Sequence, residues 1–260
     1  MIGCIVVAAG YGSFRNEAGR PFPKVIERVY GVPIIVRVLQ AVEKAGITET
    51  MVVVNPRDQD LIQRVVYNGM RDARLLNLPR FVLQPDRYGS ADAVYRAIPA
   101  LQERGVEQAL ITYGDMPLWS TETIRALVRQ SEAIRRVATM VTVPRHADFP
   151  TLDRYGRVVR DSSGTIERII EVNDPAITTI ELEIERVNPS LWVWDLAWLR
   201  SNIPAIIPTK KTDGHPDERH MPPLIARASA HGLGIGELQG TYVLSSEALG
   251  VNSQAELDAL

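Results

Sequence analysis

The sequence predicts an α/β fold, a Rossmann-like and mostly parallel mixed sheet flanked by helices, with a more antiparallel second half. Two observations predict it. In residues 1–145, short apolar runs rich in β-branched residues alternate with segments whose apolar residues repeat at helical spacing. In residues 146–260, short strand-like runs follow one another around turn residues. We therefore expect a single domain over residues 1–260 that consists of these two halves.

The first half predicts five strands and four helices in alternation. The strands are predicted at 5–9, 51–54, 81–83, 109–112 and 137–143, and the helices at 33–45, 58–67, 91–102 and 120–128. Ile34, Val38 and Val42 illustrate the helical spacing, between Pro33 in the first turn and Gly46 after the last. Ser120 suits the N-cap of the fourth helix. In such sheets, ligands bind at the carboxyl ends of the strands.

The second half predicts a different arrangement. Residues 157–160 and 165–172 are predicted to form a hairpin around the turn residues Asp161 to Gly164. A strand at 187–194, a polar loop at 210–223 and a helix at 224–230 follow. These short runs predict antiparallel strands that close one side of the sheet.

Composition and charge exclude several classes of protein. The chain of 260 residues has a net charge of −2, which disfavours a partner that is a nucleic acid or a membrane surface. Cys4 is the only cysteine, so no internal disulfide forms, as is usual in a reducing compartment. No apolar run approaches the ~20 residues of a membrane span. We expect a cytoplasmic protein that binds small molecules, in an oligomeric state that the sequence leaves open.

The glycine turn after the first predicted strand is the strongest local signal. Gly10 and Gly12 bring backbone N–H groups close to an anion, and Lys24 follows as a mobile cation. The chain has only four lysines beside 25 arginines, which singles out Lys24. The pattern is neither a Walker loop nor a dinucleotide fingerprint. It predicts phosphate binding, and the alternative is an ordinary tight turn.

Two further groups of residues lie at predicted strand ends. Gln84 precedes Gly89 and Ser90, and its amide both donates and accepts, as reading a base edge requires. Asp115 follows another strand, where its carboxylate offers the hard oxygen that magnesium prefers. The alternatives are a surface glutamine at an ordinary helix start and an aspartate that serves the turn before Pro117.

Together these segments resemble the sugar-1-phosphate nucleotidyltransferases. The motifs that carry the resemblance are Ala8 to Ser13, Pro23-Lys24, Gln84, Gly89 to Ala91, Tyr113-Gly114-Asp115, Tyr155-Gly156-Arg157, Ile170-Glu171, Val187-Asn188 and Gly250-Val251-Asn252. The order and spacing of these motifs are most similar to those in the uridyltransferase domain of the bifunctional N-acetylglucosamine-1-phosphate uridyltransferase/acetyltransferase. The resemblance implies a GT-A-like nucleotidyltransferase with a nucleotide-binding first half and a sugar-binding second half.

The resemblance also implies a role for each matched position. Lys24, Arg15 and Asp115 would be catalytic; Ala8, Ala9, Gly10, Gly12, Ser13, Gln84, Gly89 and Ser90 would bind the nucleotide; Gly114, Gly156, Glu171 and Asn188 would bind the sugar; Asp115 and Asn252 would hold Mg²⁺. The expected substrates are UTP and a sugar 1-phosphate, N-acetylglucosamine 1-phosphate first. Another sugar or base, such as glucose 1-phosphate, dTTP or CTP, is the alternative.

The chain departs from the family at several points. Ser13-Phe14-Arg15 replaces the usual Thr-Arg, so either Arg15 or Arg20 supplies the phosphate arginine. Pro189 and Ser190 follow Asn188 where the family tends to have Thr-Gly, which predicts a different geometry on the sugar side. Phe14 and Pro189 also motivate a catalytically weakened nucleotide-sugar sensor or regulatory subunit. The acetyltransferase β-helix is missing, which indicates a stand-alone enzyme or a fragment. The four dispersed histidines receive no role.

Overall fold

The fold is built on one ten-stranded sheet with helices on both faces. The computed structural model describes residues 1–11, 14, 19, 21–211, 215–240 and 242–258. Its strands are β1 (Ile2–Val7), β2 (Arg28–Val29), β3 (Val32–Pro33), β4 (Thr50–Val54), β5 (Arg80–Leu83), β6 (Gln108–Tyr113), β7 (Ala138–Pro144), β8 (Arg157–Arg160), β9 (Ile166–Ile170), β10 (Arg186–Val187), β11 (Trp192–Asp195) and β12 (Ile235–Gln239). β2 and β3 form a separate small ribbon.

The helices fill most of the connections between these strands. They are α1 (Ile34–Lys44), α2 (Gln59–Asp72), α3 (Ser90–Gln102), α4 (Thr121–Ile134), α5 (Thr179–Leu182), α6 (Leu196–Asn202), α7 (Pro223–Ala230), α8 (Tyr242–Glu247) and α9 (Gln254–Asp258). The longest have 14 residues, and no helix in the described part of the chain is long and apolar enough to cross a membrane.

The strand order confirms the predicted fold class. The sheet runs β5-β4-β1-β6-β11-β7-β10-β8-β9, and β12 pairs with β7. β1 is parallel to both β4 and β6, and β4 is parallel to β5. From β11 onward, pairing along this order is antiparallel. A parallel first half and a more antiparallel second half are therefore both present.

Alternate residues of the central strands pack on opposite faces of the sheet. In β1, Cys4 and Val6 contact the layer that contains α1, α2 and α4, whereas Ile5 faces the layer of α3, α6 and α7. All five residues of β4 are buried. Burial on both faces explains why these strands appear in the sequence as continuous apolar runs.

The prediction of one strand over 187–194 is wrong. The chain forms the short strand β10, turns at 188–191 and pairs again as β11. Pro189 has no N–H for a sheet hydrogen bond, and Ser190 adopts a left-handed φ of 62°. Asn188 therefore lies in a turn. Elsewhere the differences are smaller. Helices α2 and α4 extend further than predicted, and the elements that were not predicted are β2, β3, β12, α5, α6, α8 and α9.

Candidate active site

The carboxyl ends of two adjacent parallel strands bring the predicted residues together. Val7 of β1 pairs with Tyr113 of β6, and the Gly114 N–H donates to the Val7 carbonyl at 2.9 Å. A β-carbon on Gly114 would lie 3.1 Å from the Ala8 β-carbon, so glycine permits this close approach. The chain that leaves β1 and the Asp115 side chain are thereby held beside each other.

Lys24 joins two oxygen ligands at this edge. Its Nζ lies 2.5 Å from Asp115 Oδ2 and donates to Asn252 Oδ1 at 2.6 Å. The Lys24 and Asp115 side chains are each 19% exposed, which leaves the pair accessible. Asn252 is delivered by its neighbour, because the Val251 N–H donates to the Asp115 carbonyl at 2.9 Å. Residues 228 positions apart thus form one charged cluster.

A larger cavity of about 590 Å³ opens on one side of this cluster. Its lining includes the predicted nucleotide residues Ala8, Ala9, Gly10, Gln84, Gly89 and Ser90, together with Lys24 and Asp115. Gly89 has a φ of 88°, and a β-carbon there would lie 2.2 Å from the Arg219 carbonyl oxygen. Only glycine fits this corner of the larger cavity.

A smaller cavity of about 180 Å³ lies on the other side. Gly156, Glu171, Asn188 and Asn252 line it, and it shares Tyr113 and Asp115 with the larger cavity. Gly114 is not among the residues that line either cavity. The cluster of Lys24, Asp115 and Asn252 therefore lies where the two cavities meet.

Burial changes the acidity of two groups in these walls. Burial raises the pKa of the Glu171 carboxyl, and the nearby Asp174 carboxylate raises it further. Burial also raises the pKa of the Tyr113 phenol, although a hydrogen bond with Ser90 opposes this shift. Tyr113 therefore stays neutral at physiological pH, and Glu171 is easier to protonate than an exposed glutamate.

A buried polar network supports the loop after β1. The fully buried Asn55 directs Nδ2 toward the carbonyls of Ala9 and Gly10, at 3.4 and 3.5 Å, and toward Asp58 Oδ2 at 2.9 Å. The N–H groups of Ala9, Gly10 and Tyr11 have no acceptor among the residues that the structure describes. Among the described residues, the carbonyls of this loop are therefore occupied while its N–H donors are not, which suits an anion.

Tyr11 lies between two arginines at the mouth of the larger cavity. The guanidinium carbons of Arg57 and Arg87 lie 4.9 and 5.0 Å from the centre of its ring. Arg57 also makes a bidentate ion pair with Asp58, with bonds of 2.8 and 2.7 Å. The Arg87 guanidinium makes no ion pair within the described residues, so it remains available at the cavity wall.

Asn188 is engaged with its own turn. Its Oδ1 accepts from the Ser190 N–H at 3.0 Å, and its Nδ2 donates to Ser190 Oγ at 3.4 Å. The left-handed φ of Ser190 is one that glycine adopts without strain. Asn188 and Pro189 still line the smaller cavity.

Three predicted residues, Gly12, Ser13 and Arg15, lie outside the described residues, as does Arg20. Phe14 is buried and packs edge-on against Phe22, with ring centres 6.0 Å apart. Phe14 therefore has a packing role in the structure.

Several residues of the larger cavity were missed by sequence reasoning. Glu218 and His220 both line it, with His220 Nε2 3.2 Å from Glu218 Oε2, and burial lowers the pKa of His220. Tyr11, which also lines the cavity, and Asn55, which supports the loop after β1, were given no role either. The only sequence signal for His220 is its place in a polar loop. Nothing in the sequence indicates that the loop at 210–223 returns to Gly89, so His220 could not be assigned to the cavity.

Comparison with known proteins identifies a family and several relatives of this chain. The sequence pattern of the MobA-like NTP transferase domain family matches residues 4–230. The chain is 31% identical to bifunctional protein GlmU of Ralstonia nicotianae over 259 residues, which is 98% of this chain and 50% of that protein. It is 29% identical to GlmU of Geotalea uraniireducens over 258 residues, covering 98% of the chain and 51% of that protein.

A solved structure shows the same fold. A protein of Bacillus anthracis that is assigned as a glucose-1-phosphate thymidylyltransferase superposes with a TM-score of 0.71 at 15% identity, over 99% of both chains. The chain spans about half the length of the GlmU proteins it matches. The resemblance in the sequence motifs is confirmed, and the chain belongs to the family of MobA-like NTP transferase domains.

Proposed function

We propose that this protein transfers a uridylyl group from UTP to a sugar 1-phosphate, with N-acetylglucosamine 1-phosphate as the first choice, and releases pyrophosphate. One observation carries the proposal: Asp115 belongs to the walls of both cavities, beside Lys24. Two substrates bound in the two cavities would meet at this cluster. The similarity to bifunctional protein GlmU over half its length supports the choice of substrates.

The nucleotide is assigned to the larger cavity. The N–H groups of Ala9 and Gly10, which have no acceptor among the described residues, would donate to phosphate oxygens, and the Lys24 ammonium would neutralise the phosphate charge. Gln84 and Gly89 would hold the base at the far end. From the sequence alone, we also assign Gly12 and Ser13 to nucleotide binding and Arg15 to catalysis.

The sugar 1-phosphate is assigned to the smaller cavity. Glu171 and Asn188 carry the polar groups that would bond to hydroxyls and an acyl amide, and Gly156 leaves room for the ring. A β-carbon at Gly156 would lie 3.0 Å from Glu171 Oε1 and crowd that carboxyl. Glycine at this position therefore keeps Glu171 accessible.

The chemistry requires charge neutralisation more than proton transfer. A sugar phosphate has its second pKa near ~6, so its oxygen is already a nucleophile at neutral pH. The obstacle is the repulsion between two anions, and the catalyst must align the attack on the α-phosphorus. Lys24 would bind the phosphate oxygens and stabilise the charge that develops on them.

Mg²⁺ fits the oxygen ligands at the junction of the cavities. Asp115 Oδ2 and Asn252 Oδ1 already converge on one cationic atom, Lys24 Nζ, at 2.5 and 2.6 Å. Within the described residues, no group of three or more His, Cys, Asp or Glu side chains gathers at one point. Two protein oxygens suit Mg²⁺, which commonly takes its other ligands from water and substrate phosphates. When bound, Mg²⁺ would neutralise phosphate charge.

The test is pyrophosphate release from a panel of nucleoside triphosphates and sugar 1-phosphates. We expect release with UTP and N-acetylglucosamine 1-phosphate in the presence of Mg²⁺, and loss of release when a chelator is added. Preferred use of dTTP, CTP or glucose 1-phosphate would replace the proposed substrates. Binding of UDP-sugar without release from any pair would contradict transfer.

A further inference from the structure

The orientation of the Gln84 side-chain amide is fixed by its hydrogen-bond partners. Gln84 Nε2 donates to the Gly89 carbonyl and to Asp92 Oδ2, each at 2.9 Å. Both partners are acceptors only, so the nitrogen must face them and the oxygen must point elsewhere. The side chain is buried, and its two N–H groups are both used.

The Gln84 oxygen is consequently an acceptor that faces the larger cavity. Oε1 accepts no hydrogen bond from the described residues, and it is not among the side-chain atoms sealed from solvent without a partner. Gln84 lines the larger cavity. A ligand that approaches this oxygen must therefore present a donor.

Asp92 is itself held in place. Arg96, one turn later on α3, donates Nε to Asp92 Oδ2 at 2.6 Å and Nη2 to Oδ1 at 3.3 Å. Arg96 also lies over the Tyr88 ring, 5.6 Å from its centre. Asp92 does not line the cavity. It acts on a ligand only through Gln84.

We propose that Asp92 is a positioning residue that selects imide bases, uracil or thymine over cytosine, by holding the Gln84 oxygen toward the base. This rests on the proposed function, which puts the base in the larger cavity. Where Oε1 lies opposite N3 of the base, uracil and thymine present an N3–H donor, whereas cytosine presents a lone pair that repels those of Oε1 and has its nearest donor one atom away, on the 4-amino group. UTP and CTP differ only at this edge, so their affinity ratio reports the selection directly.

The experiment compares Asp92→Leu, Asp92→Asn and Asp60→Leu. Leucine removes one of the two acceptors that hold Nε2, so the amide can rotate and present Nε2–H as a donor to N3 of cytosine. Asparagine keeps an acceptor oxygen and serves as the conservative rescue. Asp60 lies in the first turn of α2 as Asp92 does in α3, and it is exposed, so Asp60→Leu removes the same helix-terminal charge away from the cavity.

Calorimetric titration with UTP, dTTP and CTP gives the first readout. We expect wild type to bind UTP at least about tenfold more tightly than CTP, and Asp92→Leu to reduce this ratio about tenfold. Asp92→Asn and Asp60→Leu should keep the ratio within about threefold, and dTTP should follow UTP throughout. A purely structural role for Asp92 would weaken all three nucleotides equally, and that result overturns the proposal.

The side-chain NH₂ signals of Gln84 give a second readout that needs no nucleotide. They are assigned by their loss in Gln84→Leu, and one of the two protons should become exchange-labile in Asp92→Leu but not in Asp60→Leu. Unchanged signals in Asp92→Leu overturn the proposal even if the protein turns over UTP. Wild type that binds none of the three nucleotides overturns the proposed function and the selectivity with it, while these signals still report whether Asp92 holds Gln84.

Discussion

The larger and smaller cavities meet at Asp115, but their polar walls are supported in different ways. The loop beside the larger cavity is held by Asn55, which is fully buried and lies 45 positions from Gly10 in the sequence. The wall of the smaller cavity holds Asn188 through Ser190, two residues later. The first support depends on the packing of separate elements, and the second is local to one turn. Stability and ligand binding should therefore change together at the larger cavity and separately at the smaller one.

The largest effect is expected where the two cavities join. Lys24→Ala should lower kcat about 10²–10³-fold, because it removes a donor to charge that develops on phosphate. Pyrophosphate release measures the loss, and circular dichroism with thermal unfolding checks the fold. Lys44→Ala is the matched control, because Lys44 is exposed in the last turn of α1. Near-normal turnover of Lys24→Ala would remove Lys24 from the mechanism.

The network under the larger cavity provides the next test. Asn55→Leu keeps the approximate side-chain volume but removes the partner of Asp58 and of two loop carbonyls. We expect the free energy of unfolding to fall by about 1–3 kcal/mol and the affinity for UTP to fall with it. Urea denaturation and calorimetric titration measure the two quantities.

The control for Asn55→Leu is Asn68→Leu, an exposed position on α2. It should change neither quantity appreciably. If Asn55→Leu loses stability but binds UTP as wild type does, the network supports the fold without shaping the loop, and the contrast between the cavities disappears.

The difference between local and long-range support also determines which residues of the larger cavity could be predicted from the sequence. The residues Lys24, Gln84 and Asp115 were predictable because each follows a strand within a short motif, and parallel strands bring such ends together. Asn55 also follows a strand, but alone before Pro56 it resembles an ordinary turn residue. Asp92 has no signal of its own, because its partner Gln84 is positioned by the packing of α3 beside β5.

The second half was harder to predict for a related reason. Antiparallel strands are short, and their ends are set by turns rather than by a repeated pattern. Residues 187–194 were predicted as one strand, yet Pro189 and the left-handed Ser190 divide them. A positive φ at serine has no signature in the sequence.

Glu171 tests whether stability and charge are linked at the smaller cavity. Burial raises the pKa of this carboxyl above its ordinary value of 4.5, so the folded state binds the proton more tightly than the unfolded state does. The extra stability that proton binding gives to the folded state is complete below about pH 4.5, and it is lost as the pH rises through the raised pKa. Relative to Glu171→Gln, wild type should therefore lose stability as the pH rises from about 4.5 into the neutral range.

Urea denaturation of both proteins across this pH range measures the difference. Glu167→Gln on β9, the strand that ends just before Glu171, is the control, because Glu167 is exposed and its replacement should give no such trend. If the difference in the free energy of unfolding between wild type and Glu171→Gln stays constant with pH, the Glu171 carboxyl is not desolvated. The smaller cavity would then be freely accessible to water.

The smallest effect is expected at the turn that holds Asn188. Ser190 has a φ of 62°, a backbone conformation that costs a residue with a β-carbon roughly 1–2 kcal/mol. Glycine would relieve this strain, but its greater conformational freedom in the unfolded chain offsets part of the gain in stability. Ser190→Gly should therefore raise the free energy of unfolding by about 0.5 kcal/mol. Ser190→Ala keeps the β-carbon but lacks the hydroxyl, so it should show no gain, and comparison of the two separates strain from the contact with Asn188. UTP affinity should be unchanged in both variants, because the turn is supported locally. If UTP affinity changed together with the free energy of unfolding, the walls of the larger and smaller cavities would be coupled through Asp115.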